Sequence, residues 1–345
     1  MGVCGSIRIL HGPGRSFGWR GSARGGAPSV SFGEFPDANG GGSGRVMGYH
    51  PRMEPIGESI WCQDSGKPGV SLAISFGVHG NERAPVDAGL RLVEEFGRGE
   101  RTLREGKLLL LHANPRATER DERWSEGGMD LNRCFHPDVL AAEPELFEQR
   151  RARELVEALE RVEAEVLVDF HCTVEPGSRF LMQHPPVDHA PSRRAYSLLQ
   201  ADTLLADPDL NFGGVSFDEW MSTRGKVGIC YETGWIGDPA NSPESVHGEM
   251  LNLMRGHGLL EGEATRYPEK TLLSLAGTIP CEEEGFAWCD GMGTNLQRVA
   301  AGSVLGTYAS GREVVLDTDA VLIFPKKKPE LVKIGSPLVY IGLSG

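Results

Sequence analysis

Val70–Gly77 and Lys107–Ala113 (KLLLLHA) are short, almost continuous apolar runs, and the segment between them carries a helical rhythm. A strand that is apolar at every position has both faces covered, as happens in parallel sheets packed between helices. Ala84–Phe96 supplies such a helix, with Pro85 in its first turn and Val86, Leu90, Val93 and Phe96 on one face. Strand, helix and parallel strand form a crossover unit, which few architectures accept. The pattern then repeats. Glu143–Val162 reads as a charged amphipathic helix, Glu165–Phe170 (EVLVDF) as a third strand and Val227–Tyr231 as a fourth. The expected fold class is α/β: a doubly wound, mostly parallel sheet with helices on both faces.

Beyond residue 268 the texture changes. TLLSLAG, GSVLGTY, REVVLD, AVLIF and PLVYIGL are short β-type runs punctuated by Gly, Pro and Asp, so a small C-terminal all-β domain is expected over 268–345. The main α/β domain is then expected over 47–267. Residues 1–46 are rich in Gly, Ser and Arg, with five arginines against Glu34 and Asp37, and show no period. They are expected to form a flexible tail. The opening MGVCGS fits the N-myristoylation pattern at Gly2, with Cys4 beside it, but so short a pattern recurs by chance. Met47 or Met53 is the competing start.

Charge narrows the function. A net charge of -13 argues against a nucleic-acid surface, although a local basic pocket for a small acidic molecule is compatible with it. No apolar run approaches the ~20 residues of a membrane-spanning helix, so no membrane partner is expected. Seven cysteines, an odd number with no C-x-x-C pair, are expected to be reduced thiols in a cytoplasmic protein. The sequence leaves the oligomeric state open.

Three polar clusters stand at or just past the ends of the expected strands: His79-Gly-Asn-Glu82, Asp169-Phe-His171 and Tyr231-Glu232-Thr-Gly. Open α/β sheets bind ligands at the carboxyl ends of their strands. Two imidazoles and one carboxylate form a common catalytic zinc set with a fourth position left for water or substrate. Each residue alone is weak, since a lone histidine at a strand end is more often structural. All three clusters at strand ends form a pattern.

H-G-N-E after a strand, then N-P-R-A (114–117), D-L-N-R-C-F (130–135), D-F-H and a glutamate in Y-E-T-G together resemble the succinylglutamate desuccinylase and aspartoacylase family. That family belongs to the wider zinc carboxypeptidase-like group, and the likeness runs from about residue 70 to 240. It implies one Zn2+ per chain held by His79, Glu82 and His171, with Glu232 as the base that takes a proton from water. Asn132 and Arg133 would grip a substrate carboxylate, which a planar guanidinium suits. An arginine upstream would steady the oxyanion; Arg123 is the choice, with Arg116 and Arg120 as alternatives. Arg224, eight residues before Glu232, would contact a second acidic group. Read from strand alternation alone, Asp169 shares a face with His171, where it would orient that ring or serve simply as a capping group. The end of the chain (GFAWCDGMGTNLQRVAAGSVLGTY) resembles a lipoyl-type half-barrel without the modified lysine at its hairpin tip.

The resemblance implies a zinc-dependent hydrolase for the amide of an N-acylated amino acid or a similar small acidic amide. The rivals are a zinc carboxypeptidase acting on peptides and a non-catalytic zinc-binding scaffold. Cys172 and His112 are read as core residues, Cys134 and Cys230 as flanking site motifs without metal-binding spacing, His136, His184 and His189 as loop residues without a role, and Lys326-Lys-Lys328 as a solvated turn.

Overall fold

The computed structural model describes residues 53–184, 189–207 and 215–344. The expectations for 1–46, the Gly2 pattern included, lie outside the described residues. The chain opens with β1 (Glu54–Gly57), β2 (Ile60–Asp64), β3 (Ser71–Phe76), α1 (Arg83–Gly97) and β4 (Lys107–His112). Next come α2 (Pro115–Arg120), α3 (Pro137–Ala141), α4 (Phe147–Arg161), β5 (Val166–Thr173), β6 (Phe180–Gln183), α5 (Ala190–Tyr196) and β7 (Thr203–Ala206). The α/β region closes with α6 (Phe217–Ser222), β8 (Val227–Trp235) and α7 (Pro243–Gly256). The remainder is β9 (Thr271–Pro280), β10 (Ala287–Trp288), β11 (Gln297–Val299), β12 (Val304–Thr307), β13 (Glu313–Val315), β14 (Ala320–Ile323) and β15 (Pro337–Ser344).

Among the described residues twelve strands form one sheet in the order β1-β2-β4-β3-β5-β8-β6-β7-β9-β15-β14-β11. Its centre, β4-β3-β5-β8, is parallel. From β3 the chain crosses to β4 on one side and later returns to place β5 on the other, so the order reverses between β3 and β5. The two crossover helices accordingly cover opposite faces. Leu72, Ile74 and Phe76 of β3 pack with Ala88, Leu92 and Phe96 of α1 and with Val246 and Met250 of α7. Ala73, on the other face, packs with Ala152, Leu155 and Leu159 of α4 and with Phe217 and Trp220 of α6. This is the alternation a pleated strand imposes, and it yields the expected α/β fold with both faces covered. In sheets of this kind ligands bind outside the carboxyl ends of the strands at such a reversal, here the ends of β3 and β5.

Two strands run further than their apolar patterns. β5 continues through His171 to Thr173, and β8 through Glu232 to Trp235. Backbone pairing carries both past their apolar residues, because His171 stands in register with Glu232. The register shifts between His171 and Thr173, a local irregularity of the kind that re-aims side chains beside functional sites.

The sheet also crosses residue 268, where a domain boundary is expected. β9 pairs in parallel with β7 and then antiparallel with β15, so the C-terminal antiparallel region continues the central sheet. A second, three-stranded sheet, β10-β12-β13, packs beside it. Asn295 ties this region to the loop after β5: its N–H donates to Pro176 O at 2.9 Å, and its Oδ1 accepts from Phe324 N–H at 2.7 Å. Among the described residues no helix is long and apolar enough to cross a membrane.

Candidate metal centre and active site

Strand β3 stops at Phe76 because Gly77 turns the chain with a φ of 70°. A side chain there would sit in a left-handed conformation and meet His112 and Val86 at 3.0 Å. The turn sends His79 and Glu82 back over the sheet end, and α1 begins directly after Glu82. Gly80 lies against the first turn of α2, where an added Cβ would be 2.0 Å from the Ala117 carbonyl carbon. Asn114 builds that turn: its side chain caps α2 by accepting from Ala117 N–H at 3.1 Å, and Pro115 follows at the first helical position. The N-P-R-A stretch is therefore the backing plate of the H-G-N-E turn. Gly80→Ala is expected to cost at least about 1–3 kcal/mol, because the clash is with backbone that cannot swing away. A thermal melt with metal analysis checks this, and a wild-type melting temperature and metal content would contradict it.

His79, Glu82 and His171 converge, each buried, with one ligand atom from each lying within 4.8 Å of the others. His79 Nδ1 is 2.6 Å from Glu82 Oε1, and His171 Nδ1 is 3.1 Å from Glu82 Oε2. The far nitrogens rest on carboxylates: His171 Nε2 on Asp169 Oδ2 at 2.8 Å, and His79 Nε2 on Asp130 Oδ1 at 3.2 Å. Both rings thus turn the same nitrogen inward and brace the other on an acid, the arrangement that orients metal-ligating histidines. Burial opposes ionisation of Glu82, but the two imidazoles outweigh it and hold its carboxyl well below the usual range. Burial likewise opposes charge on His171, while Asp169 and Glu82 push its pKa well above the ordinary value. Asp130 follows Glu82: His79 and Arg123 overcome its burial and hold its carboxyl well below the usual range.

Glu232 faces this cluster from the neighbouring strand, paired with His171 across β5 and β8. Side chains directly opposite one another on a sheet share a face. Burial pushes its carboxyl up to about 8 against the pull of His171, and its Oε2 has no hydrogen-bond partner in the structure. Four carboxylates, Glu82, Asp130, Asp169 and Glu232, therefore crowd around two imidazoles, with Arg123 hydrogen-bonded to one of the four. Such a donor set suits a divalent cation of borderline softness.

Of the three candidate arginines, Arg123 reaches the cluster. Its guanidinium donates to Asp130 Oδ2 at 2.9 Å. Arg116 instead lies over the Phe147 ring, and Arg120 pairs with Glu122 on the surface. Asn132 and Arg133 form a short 3-10 turn capped by Asp130. The Asn132 Oδ1 accepts from Phe217 N–H at 2.9 Å, which fastens the turn to α6 and leaves its amide N–H groups for other partners.

The expectation for Arg224 is corrected. Arg224 stacks on Trp220 and lies 3.9 Å from Glu160 at the end of α4. It precedes β8, at the amino end of the sheet, whereas Glu232 stands near the carboxyl end. Five residues of strand separate Val227 from Glu232, about 16 Å at ~3.3 Å per residue.

Three contributors were not singled out from the sequence. Asp130 was visible as the first residue of D-L-N-R, with Arg123 seven residues upstream as the available signal. The backbone N–H of Cys172 donates to Glu82 Oε2 at 3.1 Å, which no side-chain pattern reveals. Lys326, read as part of a solvated turn, is half-buried; burial, with the charges of Arg123 and Arg133, lowers the pKa of its ammonium. It follows Phe324, whose φ of 50° is unusual for a bulky residue, so a strained segment carries it.

The catalytic-domain model of the succinylglutamate desuccinylase/aspartoacylase family matches residues 68–208, the stretch that holds His79, His171 and the D-L-N-R turn. Over these residues the chain is similar to the catalytic domain of the succinylglutamate desuccinylase/aspartoacylase family. Succinylglutamate desuccinylase of Pseudomonas fluorescens (Pf-5) is 41% identical over 68 residues, which are 20% of this chain and 19% of that protein. The enzyme of the same name from Erwinia tasmaniensis is 42% identical over 65 residues, or 19% of either chain. These alignments thus span about a fifth of the curated relatives. Solved structures extend the likeness to the whole fold. Succinylglutamate desuccinylase from Vibrio parahaemolyticus aligns at a TM-score of 0.69 with 16% identity, covering 87% of this chain and 90% of that one. The product-bound ectoine utilization protein EutE (DoeB) from Ruegeria pomeroyi gives 0.65 with 20% identity over 83% and 88%. Murine aminoacylase 3 gives 0.60 with 18% identity over 80% and 95%. At these identities the structural likeness is one of fold.

Proposed function

We propose that the chain is a zinc-dependent hydrolase that cleaves the amide bond of an N-acylated amino acid or a similar small acidic amide. The observation that carries this reading is Glu232: a buried carboxylate with an unpartnered oxygen, set directly across from His171. A site built only to hold a metal needs His79, Glu82 and His171 but has no use for that acid. The two inward-facing Nδ1 atoms and the Glu82 carboxylate fit zinc, which accepts nitrogen and oxygen donors with a position left open. When bound, zinc supplies Lewis-acid activation of water and of the amide carbonyl. Glu232 takes the proton from the attacking water on its carboxylate and returns it to the departing amine, so one side chain serves as base and then acid. Arg123, fixed by Asp130, directs its guanidinium at the negative charge that develops on the carbonyl oxygen. Asn132 and Arg133 hold a carboxylate of the substrate, and Lys326 adds positive charge at the same mouth. In a protein of net charge -13, Arg123, Arg133 and Lys326 give an acidic substrate a local attraction that the global field opposes.

The test is a panel of N-succinyl- and N-acetyl-glutamate and -aspartate against short peptides with free carboxyl termini, with release of the free amine measured on zinc-loaded protein. Turnover of the N-acyl amino acids at least ~10-fold faster than the peptides, by kcat/KM, is the expected result; a discrimination of that size corresponds to about 1.4 kcal/mol. The reverse preference would make the chain a peptide carboxypeptidase.

A further inference from the structure

Glu148 has no part in the reaction proposed above, yet its side chain is completely buried, at 0% exposure. Among the described residues no ion pair joins it. It lies in the first turn of α4, where the free N–H groups of the helix favour a negative charge. Its Oε1 accepts two hydrogen bonds from one residue: the Ser125 backbone N–H at 3.1 Å and the Ser125 hydroxyl. Ser125 is itself buried, at 2% exposure. A carboxylate is costly to remove from water, and here Ser125 supplies both hydrogen bonds to Oε1 while Oε2 is buried without a partner.

What those donors belong to is informative. Residues 121–130 contain no helix or strand, so no regular backbone ladder holds them. Arg123 leaves this loop two residues before Ser125 and reaches Asp130, whose other oxygen meets His79. Gly128 closes a turn onto Ser125 by donating its N–H to Ser125 O at 3.0 Å, and Gly127 passes over Glu148 itself, where an added Cβ would be 3.6 Å from Oε2. A line of contacts thus runs from the amino end of α4 through Ser125 to the loop that aims Arg123. The geometry points to Glu148, through Ser125, as the positioning residue that fixes the Arg123 guanidinium for the reaction. This inference rests on the reading of Arg123 given above. Glu148 does not touch substrate; it removes freedom from the loop, and a guanidinium misplaced by ~1 Å can lose ~100-fold in rate.

The experiment is a double-mutant cycle on zinc-loaded protein with the best substrate of the panel, recording kcat, KM, metal content and melting temperature. Arg123→Ala alone is expected to lower kcat by ~10²–10³-fold. Glu148→Ala is expected to lower kcat by ~10–100-fold, with KM within about threefold and metal content unchanged. Glu148→Gln keeps an acceptor oxygen and is expected to recover most of that loss. The double variant should be no slower than Arg123→Ala, because a loop with nothing to aim has nothing left to lose. Wild-type kcat in Glu148→Ala, or a double variant slower by the product of both effects, overturns the positioning role while leaving Arg123 in place. Wild-type kcat in Arg123→Ala overturns the role of Arg123, and the inference with it. If Glu148→Ala does not fold, Ser125→Ala takes its place in the cycle, and the same comparison decides.

Discussion

Glu232→Gln is expected to lower kcat by ~10³–10⁴-fold while leaving the metal bound, near the upper range for loss of a positioned acid–base group. The substitution preserves size and removes only the capacity to take and return a proton. The metal set should survive because neither His79, Glu82 nor His171 is hydrogen-bonded to Glu232 in the structure; their contacts run to one another and to Asp130 and Asp169. The fold should survive as well, since a neutral amide costs less to bury than a carboxylate whose Oε2 lacks a partner. Metal analysis beside steady-state kinetics reads both halves. A variant that keeps its metal and at least ~10% of wild-type kcat would remove Glu232 from the chemistry.

His171→Ala is the second large effect. It should lower bound metal by more than ~10-fold at equal free zinc, and activity with it, because it removes one of the three proposed ligands and leaves the buried Asp169 carboxylate without its partner. Asp169→Asn should act more mildly, by ~10–100-fold in metal affinity, as loss of an orienting partner does. Equilibrium dialysis against buffered zinc separates the two variants. Equal losses would mean that Asp169 is itself a ligand, and no loss in His171→Ala would dismantle the site.

Much of this fold was legible because its central strands are apolar on both faces. β3 and β4 begin and end within a residue or two of their apolar runs, and α1 and α4 announce themselves by period. The ends of β5 and β8 were not legible, since the residues that extend them, His171 and Glu232, are polar and are drawn into the sheet by pairing with each other. The two histidines and two glutamates were legible because each follows an apolar run at the sheet's carboxyl edge. Arg224 misled for a geometric reason that the sequence already contained: a residue just before a strand and a residue near its far end lie at opposite edges. Glu148 looked like any charge on an amphipathic helix, and nothing local marks it as buried. Its partner, Ser125, sits 23 residues away in a loop without period. Lys326 was hidden differently, since its neighbours Arg123 and Arg133 come from nearly two hundred residues upstream. Long-range contacts place these residues, and local pattern does not report such contacts.

The central claim is that His79, Glu82 and His171 hold one catalytic zinc ion. Its most direct test is a titration of metal-stripped protein with zinc, following hydrolysis of the best N-acyl amino acid of the panel. The account predicts negligible activity without metal, a linear rise and a plateau at about one equivalent per chain, the stoichiometry of a site with three protein ligands. Full activity in the stripped protein, or a plateau reached without any amide cleavage, would contradict it.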